Sequence, residues 1–317
     1  MEAQVLEYFL RVAELGSINR AAAELRLSQP SLSRWLALLE HEVGTPLLIR
    51  SPQGVRTTDA GGILADRVRP ILRQLNLLRE EVGQRASAQV ALGMPSAMQQ
   101  LVTVPFAMQI AQEHPHMTMR IYEGINNTIR RWMEQGVLDT AILVQTEHVP
   151  ETFHSRPLIR ERLLLVGGCS SGLSVDRPVP LARLANVPLI LPGPPNVIRA
   201  QVENALRKSG HKYCSRMEVE TPTLCMELAR RGLGYTVMPA CAVHDGSRDN
   251  QTGFAPIRGL GVLWSLHVNR ARQHSVAVRA LTSALREFVA RQISSGKWPF
   301  ATLATGNSVT GRSTRIE

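Results

Sequence analysis

The stretch SQPSLSRWLALLEHEVG, residues 28–44, reads as one amphipathic helix. Ser28 or Gln29 can cap it, and Pro30 suits its first turn, where a backbone N–H would have no helical partner. Apolar residues recur at i, i+4, i+7 and i+11, which predicts a stripe facing a core. That stripe is Leu32, Leu36, Leu39 and Val43. The polar residues near the helix start have side chains that fit the major groove of DNA, namely Gln29, Ser33 and Arg34.

Two shorter helices precede this one and a hairpin follows it. Apolar residues between 3 and 15 repeat with helical spacing, and Gly16 ends the run. Ser17 can cap a second helix whose alanines pack closely. The segment RSPQGVRTT, residues 50–58, predicts a hairpin with Arg50 and Arg56 beside its tip. The pattern favours a winged helix-turn-helix over a helical hairpin with a merely solvated face, and its wing would lie on DNA phosphates or in the minor groove.

The stretch from Phe9 to Gly61 resembles the N-terminal module of LysR-type transcriptional regulators. Its specific elements are the AA of the second helix, SQPSLSR, LE before a glycine-terminated helix, PLL.R and T.AG. The resemblance implies a recognition helix that contacts bases or nearby phosphates through Gln29, Pro30, Ser31, Ser33 and Arg34. It also implies a wing that contacts the DNA backbone through Arg50 and Arg56.

This chain departs from the family in the middle of the recognition helix. Members of the family often carry polar or basic residues where this chain has Trp35, Ala37 and Leu38. Two roles are open for Trp35, packing against the wing or contact with a thymine methyl group, and packing is favoured because large aromatic side chains are usually buried.

A long helix begins near Thr58. From Leu64 its apolar residues step by 4, 3, 4, 3 and 4, which predicts a coiled-coil seam. Pro70 lies inside the helix and predicts a kink. In the resembling family this helix joins two DNA-binding heads, so we expect a homodimer or homotetramer on half-sites related by two-fold symmetry. The predicted seam is Leu64, Val68, Ile71, Leu75, Leu78 and Val82.

From Val90 onward predicted strands alternate with helices, which indicates α/β structure. The fold class is therefore α/β behind an N-terminal, all-α winged helix-turn-helix and a long linker helix. The resemblance implies an effector-binding domain of two subdomains, like periplasmic solute-binding proteins, with chain crossings near Leu165 and Leu263. The stretch at 122–144 is similar to regulators of nitrogen assimilation and related catabolic genes.

Four segments follow from these patterns. Residues 1–57 form the DNA-binding domain and residues 58–88 the dimerising linker helix. Residues 89–295 form the effector-binding domain, with 89–165 plus 263–295 in one subdomain and 166–262 in the other. The polar tail at 296–317 has little to bury, so we expect it to be disordered.

A cleft between such subdomains binds its ligand at strand ends and helix N-termini, where N–H groups attract an anion. Each candidate side chain could equally be a simple helix cap. Eleven basic and ten acidic residues nearly cancel within 1–88, so most of the +10 net charge lies in the effector half and favours an anionic effector. The candidate contacts are Ser96, Asn126, Thr146, Asn196, Arg199, Thr221 and Thr223.

Other classes of protein fit less well. The chain shows no long apolar run and no basic leader, which favours a cytoplasmic protein without membrane contact. It lacks GxSxG and HExxH motifs, so we expect no enzyme, no metal and no cofactor. A solute-binding protein would explain 90–293 alone. Promoter DNA and a small effector are the expected partners, with RNA polymerase a further candidate.

A redox-responsive regulator is a second alternative, because all four cysteines lie in the sensing half of the chain. They show no CxxC spacing, so buried free thiols are favoured over metal ligands or a disulfide framework. These cysteines are Cys169, Cys214, Cys225 and Cys241.

Overall fold

The computed structural model describes residues 1–51, 54–82, 88–146, 149–243 and 252–304. Inside the long helix the side chains of residues 73, 74 and 76–82 lie outside this description, and with them the predicted seam residues Leu78 and Val82. The chain divides into two compact units, residues 1–87 with 134–137 and residues 88–133 with 138–317.

The first unit contains the predicted winged helix-turn-helix. Ser17 and Ser28 cap the second and third helices, accepting hydrogen bonds at 3.3 Å from the backbone N–H groups of Arg20 and Ser31. The hairpin strands pair antiparallel and form the wing. The elements are α1 Ala3–Leu15, α2 Ile18–Leu25, α3 Gln29–Val43, β1 Leu48–Ser51, β2 Gly54–Thr57 and α4 Asp59–Val82.

The core of this unit differs from the sequence prediction at the end of α3 and at the start of the apolar pattern in α4. Leu32, Leu36 and Leu39 are buried as expected, but Val43 is 38% exposed because α3 ends there, beyond the helices that cover the rest of the stripe. Within α4, Val68 is buried in the unit's own core and Leu64 packs against that core. Val68 is therefore covered within its own chain and Leu64 is partly covered, so neither is fully available to an intermolecular seam.

The second unit is α/β, as predicted. It contains one seven-stranded sheet in the order β11-β6-β10-β5-β3-β4, with β9 on β6, and a two-stranded sheet of β7 and β8. Its strands are β3 Ala88–Pro95, β4 Met117–Gly124, β5 Thr140–Val144, β6 Phe153–Gly168, β7 Leu189–Leu191, β8 Ser215–Glu218, β9 Thr236–Pro239, β10 Thr252–Asn269 and β11 Ala301–Leu303. Its α-helices are α5 Val104–Glu113, α6 Asn126–Glu134, α7 Ala182–Ala185, α8 Val197–Lys208, α9 Pro222–Arg230, α10 Ala240–Val243 and α11 Val276–Ser294.

Two long antiparallel strands, β6 and β10, run through both halves of this unit. Their register shifts between the pairs Leu164–Pro256 and Arg162–Gly261. On one side of the shift β10 pairs with β5, and on the other β6 pairs with β9. The chain therefore passes between the two halves at this shift, and the predicted crossings at Leu165 and Leu263 lie just beyond it.

The segment after α11 contradicts the predicted disordered tail as far as residue 304. Trp298 is 2% exposed, and residues 301–303 pair with β6 as strand β11. The Trp298 indole N–H donates to the buried carboxylate of Glu161 at 2.7 Å. Residues 305–317 lie outside the described part of the chain.

Candidate functional site

The exposed side of α3 carries the predicted DNA-contacting residues. Gln29 Nε2 donates to Ser33 Oγ at 2.9 Å, which orients the amide along the helix. The Ser31 hydroxyl lies 2.7 Å from that of Ser28, and Pro30 and Arg34 are exposed. These side chains lie at the N-terminal half of the helix, on faces that Leu32, Leu36 and Leu39 leave free.

The wing is fixed to the end of α3 by one carboxylate. Glu40 Oε1 accepts from the backbone N–H groups of Leu47 at 2.7 Å and Leu48 at 3.0 Å. Gly54, at φ +128°, also brings the wing close to the first helix, since a Cβ there would lie 2.6 Å from the Gly16 carbonyl oxygen. Arg50 and Arg56 are both exposed on this hairpin. Glu40 was not among the predicted site residues, although its position just before the glycine that ends the helix is visible in the sequence.

The favoured packing of Trp35 against the wing stays a prediction, because wing residues 52 and 53 lie outside the described part of the chain. Trp35 is five residues before Glu40, which turns it about 140° around the helix from the residue that holds the wing. Its side chain is 40% exposed, and that of Leu38, one turn later, is 50% exposed.

A small cavity lies in the second unit where β3 and β4 end and α8 begins. Its volume is about 70 Å³, well below the roughly 300–1,000 Å³ of common ligand pockets. Three of the seven predicted effector contacts line it, namely Ser96, Asn126 and Asn196. Most of the wall is apolar, and it includes Pro95, Ile125, Val144, Ile198, Met238 and Trp264.

The asparagines around this cavity have different bonding. Asn196 Oδ1 caps α8, accepting from Ile198 N at 2.9 Å and Arg199 N at 3.1 Å. Asn126 Oδ1 accepts from Val144 N at 2.8 Å, but its Nδ2 is buried without a partner among the described residues. Asn127 Nδ2 donates to the Pro195 carbonyl on the opposite wall. Asn126, which lines this cavity, therefore has an N–H donor without a partner among the described residues.

Arg199, expected to receive an anionic effector, does not line the cavity. Its guanidinium binds Glu203 at 2.7 Å and Glu218 at 2.5 Å, and it lies over the Tyr213 ring. Partial burial lowers the pKa of Arg199, but the hydrogen bonds to both carboxylates raise it overall. The guanidinium is therefore engaged within its own subdomain.

The three threonines also lie elsewhere. Thr146 accepts from Arg130 Nη2 at 3.0 Å, and Thr221 is an exposed N-cap residue whose side chain makes no capping bond. Thr223 lines a concavity of about 470 Å³ that adjoins the small cavity, since Ser96, Ala97 and Pro222 line both. Charge and helix starts predicted these residues, but neither signal shows which side chains already have partners.

A buried polar cluster behind the cavity was not predicted. Glu161 accepts from the indole N–H of Trp264 at 2.6 Å and of Trp298 at 2.7 Å, and from the Cys241 backbone N–H. Burial raises the pKa of Glu161 even though all these donors lower it. Trp264 also lines the cavity. Glu161 therefore connects the cavity wall, through Trp264, to the C-terminal segment, through Trp298.

Two parts of the chain each match a family model. The first matches the bacterial regulatory helix-turn-helix protein of the lysR family over residues 3–62. The second matches the LysR substrate binding domain over residues 83–290. The chain belongs to the LysR family of transcriptional regulators. The family resemblance seen in the sequence is therefore confirmed.

Individual LysR-family proteins resemble the chain over most of its length. The nitrogen assimilation regulatory protein nac of Klebsiella aerogenes is 32% identical over 93% of this chain and 96% of its own. The transcriptional dual regulator OxyR of Escherichia coli is 27% identical over 77% of this chain and 80% of its own.

Solved structures share the fold. A full-length OxyR variant from Pseudomonas aeruginosa aligns with a TM-score of 0.68 and 21% identity, covering 91% of this chain and 94% of its own. Full-length CbnR complexed with its target DNA aligns with a TM-score of 0.65 and 22% identity, covering 92% and 99%. The predicted fold class is confirmed.

The cysteines give little support to a redox switch in this LysR-family protein. All four are free, with Cys169 and Cys214 exposed and Cys225 and Cys241 buried. Burial raises the pKa of Cys225 to about 11 and that of Cys241 well above its ordinary value. Because peroxide reacts with the thiolate, the two buried cysteines are poor sensors.

The described residues contain no group of His, Cys, Asp and Glu side chains arranged to hold a metal ion. In the same part of the chain, none of the helices is both long and apolar enough to cross a membrane.

Proposed function

We propose that this LysR-family regulator reads its promoter as a homodimer, with α3 in the major groove and the wing on the adjacent backbone. The observation that carries the proposal is the free side of α3, where Gln29, Ser33 and Arg34 are not covered by the core. Exposed Arg50 and Arg56 on the wing supply positive charge for phosphates. A homotetramer and contact with RNA polymerase stay predictions.

A nuclease footprint on DNA upstream of the protein's own gene tests this proposal. We expect a protected region with two-fold symmetry in excess nonspecific competitor. Gln29→Ala should weaken the specific site by about 1–3 kcal/mol and leave nonspecific binding unchanged, because an amide reads a base edge. Arg56→Ala should weaken all sequences and lower the slope of log K against log salt by about 1. Equal weakening of specific and nonspecific DNA by Gln29→Ala would contradict the base-reading role.

The effector proposed for the cleft is compact and mainly apolar, with one hydrogen-bond acceptor. Among the described residues, none of those lining the cavity is charged, and the free Nδ2 of Asn126 needs an acceptor oxygen. The anionic effector favoured by the sequence depended partly on Arg199, which carboxylates already bind. A volume of about 70 Å³ has room for only a few heavy atoms, so a larger ligand requires the two subdomains to separate.

A melting-temperature screen distinguishes these effector classes. The probes are small amides, ketones and alcohols, with carboxylates of the same carbon skeleton as the charged comparison. Uncharged acceptors should raise the melting temperature of the wild type. Asn126→Asp should abolish that rise, because it keeps the acceptor for Val144 N and loses the donor. Thr282→Val, in a concavity that shares no lining residue with this cavity, is the control. Stabilisation by carboxylates alone would contradict the proposed class.

A further inference from the structure

The recognition helix exposes two large apolar side chains beside Arg34. Trp35 is 40% exposed and Leu38 is 50% exposed, although Leu32, Leu36 and Leu39 of the same helix are buried. Trp35 and Leu38 form the centre of a stripe at helical spacing that begins at Ser31 and ends at Glu42. This stripe lies between the buried leucines and the outward face that carries Arg34.

Among the described residues of the module, none covers Trp35 or Leu38 enough to bury it. The wing is held on the other flank of α3 by Glu40, which binds the backbone of Leu47 and Leu48. A tryptophan and a leucine left in water at adjacent turns are unusual on a folded surface, where apolar side chains are normally scattered singly. The pair therefore lies where it can contact whatever α3 binds.

The outer face of α3 is the surface that the proposed function places in the major groove. Base edges in that groove carry hydrogen-bonding groups and one apolar group, the 5-methyl of thymine. We infer that Trp35 and Leu38 recognise thymine methyl groups, next to the bases read by Arg34. The inference rests on the proposed function, because it requires α3 to enter the major groove.

A second copy of the chain is the competing occupant of this surface. Arg34 beside the apolar pair favours DNA, since a cationic side chain suits a polyanion. The carboxylate of Glu42, at the far end of the stripe, is paired with the N-terminal ammonium group. The two occupants differ in what they would require. Only DNA makes binding depend on a single methyl group in the ligand.

Thymine-to-uracil exchange tests the inference, because it removes the methyl group and keeps every hydrogen-bonding atom. High-affinity duplexes are first selected from a random pool with the full-length protein, so the test does not depend on one promoter. Each thymine in the selected half-site is then replaced by uracil in turn. Affinities are measured for the wild type, Trp35→Ala and Leu38→Ala, with Ile49→Ala as the control. Ile49 is also apolar and 55% exposed, but it lies on the wing.

At one or two positions, replacing thymine by uracil should lower the affinity of the wild type about fourfold. This factor corresponds to about 0.8 kcal/mol, the free energy of burying one carbon group. At those positions Trp35→Ala or Leu38→Ala should bind thymine and uracil equally, whereas Ile49→Ala should retain the difference. Unchanged nonspecific affinity shows that each variant is folded.

Three results would overturn the inference. The wild type could bind all uracil duplexes as well as thymine duplexes, or both α3 variants could keep the full methyl dependence. Sedimentation could also show that Trp35→Ala dissociates the free protein while methyl dependence persists, which would assign the surface to a second copy. If selection yields no preferred duplex, sequence-specific binding itself fails, and that result is distinct from specific binding without methyl dependence.

Discussion

His267 is a buried histidine with little to stabilise its charged form. It lies in β10 with its ring edge-on to Phe153, at a centroid distance of 6.5 Å. Nδ1 has no hydrogen-bond partner among the described residues, and Nε2 is 3.5 Å from Ser155 Oγ. Burial, with a smaller effect of the Arg130 charge, lowers the pKa of His267 to about 4. The side chain is therefore neutral in the folded protein over most of the acid range.

Acid should destabilise the protein through this residue. The unfolded chain binds a proton on His267 below about pH 6.5, whereas the folded protein does not until about pH 4. The contribution of His267 is therefore present above pH 6.5 and is lost as pH falls toward 4, by roughly 3 kcal/mol in all. Urea unfolding of wild type and His267→Gln across this range measures the difference. A difference that does not change with pH would contradict the assigned pKa.

The elements that sequence predicted well are those whose signals are local. In α3 the cap at Ser28, the first-turn Pro30 and the leucine stripe all lie within the helix they define. Strand β11 has no such local signal. It is only three residues long, and the polar residues before it gave no indication that Trp298 is buried. The partner of that indole, Glu161, lies 137 residues earlier in the chain. In the candidate site, Arg199 also depends on contacts that the sequence does not show. The sequence gives its charge, but not that its guanidinium is bound by the carboxylates of Glu203 and Glu218.

Trp298 should hold the C-terminal segment in place. Trp298→Ala leaves a cavity and removes a donor from Glu161, so it should lower the free energy of unfolding by about 3–5 kcal/mol. Trp298→Phe keeps most of the ring and loses only the N–H, so it should cost about 1–3 kcal/mol. Urea unfolding of the full chain measures both. A loss below about 1 kcal/mol for Trp298→Ala would show that residues 297–304 are dispensable for stability.

Helix α4 has one apolar face that is buried in its own unit and another that is exposed. The heptad pattern in the sequence did not distinguish these two faces. Val68 and Leu72 are buried in the core of their own unit. Ile71 is 51% exposed and Leu75 is 36% exposed, so they are free to pack against a second copy. Periodicity reports that residues share a face, but it does not say whether the same chain or another covers that face. The dimer contact proposed for the whole molecule therefore begins near Ile71 rather than at Leu64.

Leu75→Asp should separate the dimer without unfolding either head. A carboxylate in an apolar seam must lose its hydration on association, which is costly, whereas in the monomer it stays exposed to water. Sedimentation at micromolar concentration should show the mass halved. Affinity for a two-fold site should fall by about 10²-fold or more, because each half-site then binds independently. Val175→Asp, at an exposed valine of the effector-binding domain, should change neither quantity. An undiminished mass for Leu75→Asp would assign dimerisation to another surface and leave the exposed face of α4 without this role.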